Sequence, residues 1–145
     1  MANNKIIISG LVGGIVAFFV GYLIWGLALA QFAVDNAGTA TGVGKESPDF
    51  WAIILGSLAS GFLISTIFGR WANISTWKTG ASAGALIGFL VGAHVNFIEF
   101  GNSNVSTLQL ALVDIVGYIV MFAVVGAVVG VMLGRGIEKL EEATA

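Results

Sequence analysis

Two residues are out of place for the segments that carry them. His94 and Asp114 lie inside long apolar runs of a 145-residue chain in which only 10% of residues are charged. An ionisable group at the centre of a membrane helix costs roughly 2.5–3.5 kcal/mol on insertion scales, so such groups are kept for function or for a paired contact. The span ends fall near Phe100 and Leu108. At about 1.5 Å per residue, each group then lies about 9 Å below the same surface. Equal depth on consecutive helices allows an imidazole N–H to meet the carboxylate. Three readings follow: an interhelical clamp, a proton-sensitive or proton-carrying site, or two residues that face different neighbours, which helical phase leaves open. Asn96 and Glu99 share the polar end of this hairpin with Asn102, Asn104 and Gln109. Helical phase puts His94 roughly opposite Asn96 and well away from Glu99, and it puts Thr107, Ala111, Gly117 and Tyr118 on the face of Asp114.

The other chemistry that these residue types could support is poorly provided for. One His with scattered carboxylates at no ligand spacing gives no metal site. The absence of Cys removes thiolate, disulfide and iron–sulfur chemistry. GVGKES lacks the spacing of a phosphate-binding loop. Ser103 and Ser106 lie near His94 in sequence, but nothing marks either as an activated nucleophile. With a net charge of −2 and no basic cluster, nucleic acid is not a partner. The expectation is a protein that is not an enzyme and carries no cofactor.

The elements that must position these residues are membrane-spanning. The chain is 57% hydrophobic, too apolar for a soluble globule to cover, and its 21 glycines lie within the apolar runs. Four segments reach the length of about 20 residues that a helix needs to cross a bilayer: 5–32, 50–68, 79–100 and 108–134. Their apolar runs are continuous, unlike barrel strands, and helices satisfy their own backbone groups in lipid. The first run exceeds a signal-peptide core and reads as a retained anchor. The expected fold is all-α: one transmembrane domain, 1–145, a four-helix bundle with antiparallel neighbouring spans. It has an outer loop over 33–49, opening α-helix entry at SPDF, and a tail over 135–145.

Basic residues orient it. With the N-terminus inside, Lys5, Arg70, Lys78, Arg135 and Lys139 are cytoplasmic and only Lys45 is outside. Both termini are then cytoplasmic. Trp25, Trp51, Trp71 and Trp77 sit near span ends as interfacial anchors. Asp35, Asn36, Glu46 and Asp49 gather outside, either as a hydrated surface or as a cation-attracting vestibule. GGIVAFFVG in the first span and AGALIGFLVG in the third suggest either a two-plus-two duplication or chance likeness between Gly-rich segments.

Every span carries small residues about four apart: Gly10, Gly14, Ala17 and Gly21; Ser57, Gly61, Ser65 and Gly69; Gly80, Gly84, Gly88 and Gly92; Gly126, Gly130 and Gly134. Small faces let helix backbones approach in lipid, where hydrophobic drive is absent. A four-residue stripe drifts about 40° per step around a helix. One partner follows the whole third-span stripe only if the pair coil; otherwise different stretches meet different neighbours. That favours a homo-oligomer over the alternative of a monomer with internal packing only.

The Gly-rich first and third spans, with NAGTATGV, PDFW, ALVDIVGYIV and a basic end, give nearly the whole chain a diffuse resemblance to a family of small uncharacterised four-span bacterial inner-membrane proteins. The resemblance implies a multi-pass protein of the bacterial inner membrane and carries no catalytic residues. The functional expectation is assembly with lipid around it, as a homo-oligomer or an accessory subunit of a membrane complex. The alternative is a small channel or proton-linked transporter using His94 and Asp114.

Overall fold

The structure is a computed structural model that describes residues 2–43, 45 and 47–142, with side chains described from 3 to 135 within that set. Glu46 and the side chains of Glu138, Lys139, Glu141 and Glu142 lie outside the described residues. The order is α1 (Ala2–Gly21), a π-helical continuation (Tyr22–Ala28), α2 (Ala30–Asp35), α3 (Phe50–Thr66), a second π-helical continuation (Ile67–Ala72), α4 (Trp77–Asn102) and α5 (Leu108–Glu142). Four helices are long and apolar enough to cross a membrane: Asn3–Ala28, Phe50–Ala72, Trp77–Asn102 and Leu108–Arg135. The first turns aside at Leu29, whose N–H reaches Ile24 O at 2.7 Å, and the short α2 follows.

Local chemistry sets the boundaries. α3 begins after Pro48, with Ala52 N and Ile53 N bonded to Asp49 O at 3.0 and 3.2 Å. The Asp49 carboxylate leaves the helix start and pairs with Lys45 instead. Asn73 ends the second π-helical stretch at φ 50°, a left-handed conformation that Asn tolerates. Thr76 then caps α4, its hydroxyl accepting from Thr79 N at 3.2 Å.

The spans pack as two close pairs, α1 with α3 and α4 with α5, joined along α1 and α5. α3 and α4 share no extensive contact among the described residues. In the first pair, a Cβ on Gly14 would lie 2.7 Å from Leu58 Cα, and one on Gly61 would lie 2.7 Å from the Gly13 carbonyl carbon. In the second, Gly80 meets Gly126, Gly84 meets Phe122, Gly88 meets Tyr118 and Gly92 meets Tyr118 and Ile115. Gly130 and Gly134 continue the seam against the Thr76 and Ser75 carbonyls.

The α4 stripe is therefore spent on one partner. Gly80, Gly84, Gly88 and Gly92 are all buried against α5, and residue numbers fall on α5 as they climb on α4. The seam can stay closed over that length only if the helices wind around each other; a repeat longer than 3.6 residues calls for right-handed winding. Stripe drift thus gives no support for a homo-oligomer, because coiling absorbs it.

The side-chain core lies toward the end where the chain begins and α5 finishes, hereafter the terminal end. Ile64, Phe68, Val125 and Val129 are almost fully buried there, with Met121, Phe122 and Leu133 around them. A Cβ on Gly69 would meet both Ile6 and Leu133, so three helices converge at that end. The opposite, loop end is tied by backbone bonds between its two connections. Gly38 N reaches Val105 O at 2.8 Å, Ala40 N reaches Asn104 O at 3.0 Å, and Ala37 pairs with Ser106.

Candidate functional site

Asp114, one turn and a half into α5, is held from two sides. The Trp25 indole N–H donates to Oδ1, and Asn96 Nδ2 donates to Oδ2 at 2.6 Å. Asn96 also donates to Gly92 O at 3.0 Å and is only 6% exposed. The carboxylate therefore joins three helical segments: the π-helical end of α1, α4 and α5. Both donors are neutral, and the Lys45–Asp49 pair is the only ion pair among the described residues. Both contacts are hydrogen bonds to an ionisable acceptor, which are stronger than neutral ones.

His94 is not part of this arrangement. It lies on an exposed stretch of α4, and no hydrogen bond or ion pair joins it to Asp114. The reason is helical phase. Two residues turn a helix by about 200°, so an α4 that aims Asn96 at α5 must aim His94 away. Depth is equal for the two residues, but facing is not.

The seat of Trp25 is built from absent side chains. A Cβ on Gly21 would lie 3.5 Å from Trp25 Cζ3, and one on Gly117 would lie 3.3 Å from Cζ2. Tyr118 meets the indole edge-on, with ring centroids 5.3 Å apart, and stacks on Phe122 at 6.3 Å. Trp51, Trp71 and Trp77 are exposed, as interfacial anchors would be, whereas Trp25 is half-buried and bonded inward. Its place near a span end gave it the same reading as the other three. The distinguishing signal is depth: a tryptophan a few residues before the end of one span lies level with a carboxylate a few residues after the start of another.

Trp25 also walls a cleft of about 670 Å3 between α1, α3 and α5, lined by Ala17, Phe18, Tyr22, Phe50, Ile53, Ser57, Ser60, Tyr118 and Met121 among others. Its lining is mostly apolar. The Ser57 and Ser60 hydroxyls turn back to their own helix, to Ile53 O at 2.9 Å and Gly56 O at 3.1 Å. A Cβ on Gly56 would touch nothing within 4 Å. α1 and α3 touch backbone to backbone at Gly14 and Gly61, and they part toward the loop end, which opens the cleft.

Several other polar groups are held locally, though at Glu99 it is the backbone carbonyl and not the carboxylate that is bonded. Glu99 O accepts from Ser103 Oγ at 3.0 Å, Asp35 accepts from Gln31 at 2.8 Å, and Asn36 donates to Phe32 O at 3.0 Å. Ser106 Oγ is buried without a partner. No three His, Cys, Asp or Glu side chains among the described residues come together as metal ligands would. Gly10 packs against Phe62 and Ser65 of α3. Comparison with protein families, curated proteins and solved structures gives no match for this chain.

Proposed function

We propose that this is a non-enzymatic membrane protein of the bacterial inner membrane that works by assembly, as a homo-oligomer or as an accessory subunit of a larger complex. Its four antiparallel spans leave both termini in the cytoplasm, following the bias of basic residues. The cleft is the observation that carries the assembly reading. Gly56, Ser57 and Ser60 form a small-residue edge of α3 that no helix of this chain covers, and close backbone approach is what helices in lipid need. The other small-residue seams are occupied within the chain, so the cleft is where a further helix enters.

The absence of Cys makes the test direct. Gly56→Cys should cross-link, in native membranes, to a second copy or to a distinct membrane protein; Leu86→Cys, on the exposed face of α4, should not. A chain that stays monomeric and unlinked in membranes and in mild detergent would overturn the assembly reading.

A second reading is a small channel or proton-linked transporter. It is favoured by the Asp114 carboxylate, which lies within a span and is held by neutral donors alone. His94 contributes less to it than Asp114, since it lies outside the bonded cluster. This reading requires a pH-dependent flux in liposomes that Asp114→Asn abolishes, and it fails if the unmutated protein carries no flux.

A further inference from the structure

We infer that the Trp25–Asp114 hydrogen bond is a proton-released latch: uptake of a proton by Asp114 frees the Trp25 indole, which then moves into the cleft between α1 and α3. The argument begins with what each partner can do. An ionised carboxylate only accepts, and here each oxygen already has one donor, Trp25 on Oδ1 and Asn96 on Oδ2. A proton on the carboxyl turns one oxygen into a donor. Asn96 can present its own Oδ1 as an acceptor only by rotating its amide and giving up its bond to Gly92 O. Its present orientation therefore keeps a donor on Asp114 Oδ2 and favours the proton on Asp114 Oδ1. Trp25 can present no acceptor at all, because the indole N–H is a donor only. If the proton sits on Oδ1, two donors face each other. If it sits on Oδ2, the indole keeps a neutral acceptor and loses the charge assistance that made the bond strong. Either way the Trp25 side of the clamp yields first.

The backbone is built to follow. Trp25 lies within the π-helical stretch Tyr22–Ala28, a rare winding that is frequent at functional sites. Gly26 lies next to it, and the mostly apolar cleft that Trp25 walls gives the indole room to move into. Among the described residues, Tyr118 on α5 lies close enough to both Asp114 and Glu99 of α4 to feel their charges. That makes Glu99 and Tyr118 the titratable groups nearest to the clamp on those helices. Tyr22 is the one on the α1 segment, α3 brings none, and His94 faces away. Among the described residues no cation forms an ion pair with Asp114. Filling the cleft with the indole would compete with an incoming helix, so that acidity would weaken assembly; this consequence rests on the docking role proposed above, whereas the latch does not.

The test uses the full chain alone in phosphatidylcholine vesicles, with Trp51, Trp71 and Trp77 replaced by Phe so that Trp25 is the sole indole. Emission and quenching by chain-brominated phosphatidylcholine are followed as the pH is lowered, with helix content monitored by circular dichroism. Acidification should move the emission to shorter wavelength and raise the quenching. Asp114→Asn, which holds a neutral acceptor at all pH, should show the acid-state signal throughout and lose the pH response. Glu99→Gln should retain it. A flat response in the single-tryptophan parent overturns the latch whatever the variants do. A response that survives Asp114→Asn, or that Glu99→Gln alone abolishes, assigns it to another group and equally overturns it. The chain is reconstituted at a high lipid-to-protein ratio so that no second copy occupies the cleft, and a failed cross-linking test therefore leaves this result unaffected.

Discussion

Gly80 of α4 and Gly126 of α5 meet backbone to backbone: a Cβ built on either runs into the carbonyl of the other, with the Gly126 carbonyl carbon 2.9 Å from the Gly80 position. No side chain separates the helices there, and nothing at the contact can rotate out of the way.

Gly80→Ala should therefore destabilise the fold by about 1–3 kcal/mol, the usual cost of overpacking a closed contact. Gly61→Ala, facing the Gly13 backbone, should behave likewise. Gly56→Ala should stay within about 0.5 kcal/mol of the parent, because its new methyl would meet open space. Reversible unfolding in mixed detergent, followed by circular dichroism, ranks the three; equal effects would contradict the packing described.

The polar cluster makes a different demand. Asn96→Leu removes the donor to Asp114 Oδ2 and should cost about 1–3 kcal/mol, the penalty for leaving a buried acceptor unmet. His94→Leu, on an exposed face, should change stability by no more than about 0.5 kcal/mol. The same unfolding assay decides, and a larger effect at His94 would restore the pairing that helical depth alone suggests.

The loop end can be stapled. Ala37 and Ser106 face each other across an antiparallel bridge, where Cα atoms are about 4.5–5.5 Å apart, within the range a disulfide spans. Ala37→Cys with Ser106→Cys should oxidise readily and raise stability by about 2–4 kcal/mol. A gel shift reversed by reductant, with a matching rise in unfolding midpoint, is the expected result.

Orientation is open to labelling. With the termini cytoplasmic as proposed, Thr41→Cys, in the exposed connection before α3, should react with a membrane-impermeant maleimide added from outside the membrane, and Ala72→Cys should react only after the membrane is permeabilised. The reverse pattern would invert the topology read from the basic residues.

The spans were legible because hydropathy and length constrain them without reference to any partner: Phe50 and Leu108 begin helices where apolar runs begin. The small-residue stripes were legible as packing faces, but not their pairing. Gly84 could meet any other small face on composition alone, and only the α4–α5 turn, too short to let the helices separate, commits it to Phe122. Depth was legible for Asp114, and phase already held the objection to His94. Trp25 was hidden by its own versatility, since an indole near a span end satisfies an interfacial role and a hydrogen-bonding role equally well. The cleft was not legible, because it comes from where α1 and α3 diverge rather than from any residue type.

That divergence has a mechanical consequence. α4 and α5 share backbone contact from Ser75 and Gly134 to Gly92 and Ile115, so they form a single stiff beam. α1 and α3 touch most closely at Gly13, Gly14 and Gly61, with Ile64 and Phe68 buried on the terminal side of that point and the cleft opening on the other. Those glycines act as a fulcrum. A tilt about them would carry the ends that hold Trp25 and Phe50 furthest, so any sideways load on α1 or α3 would be felt first at the open jaw.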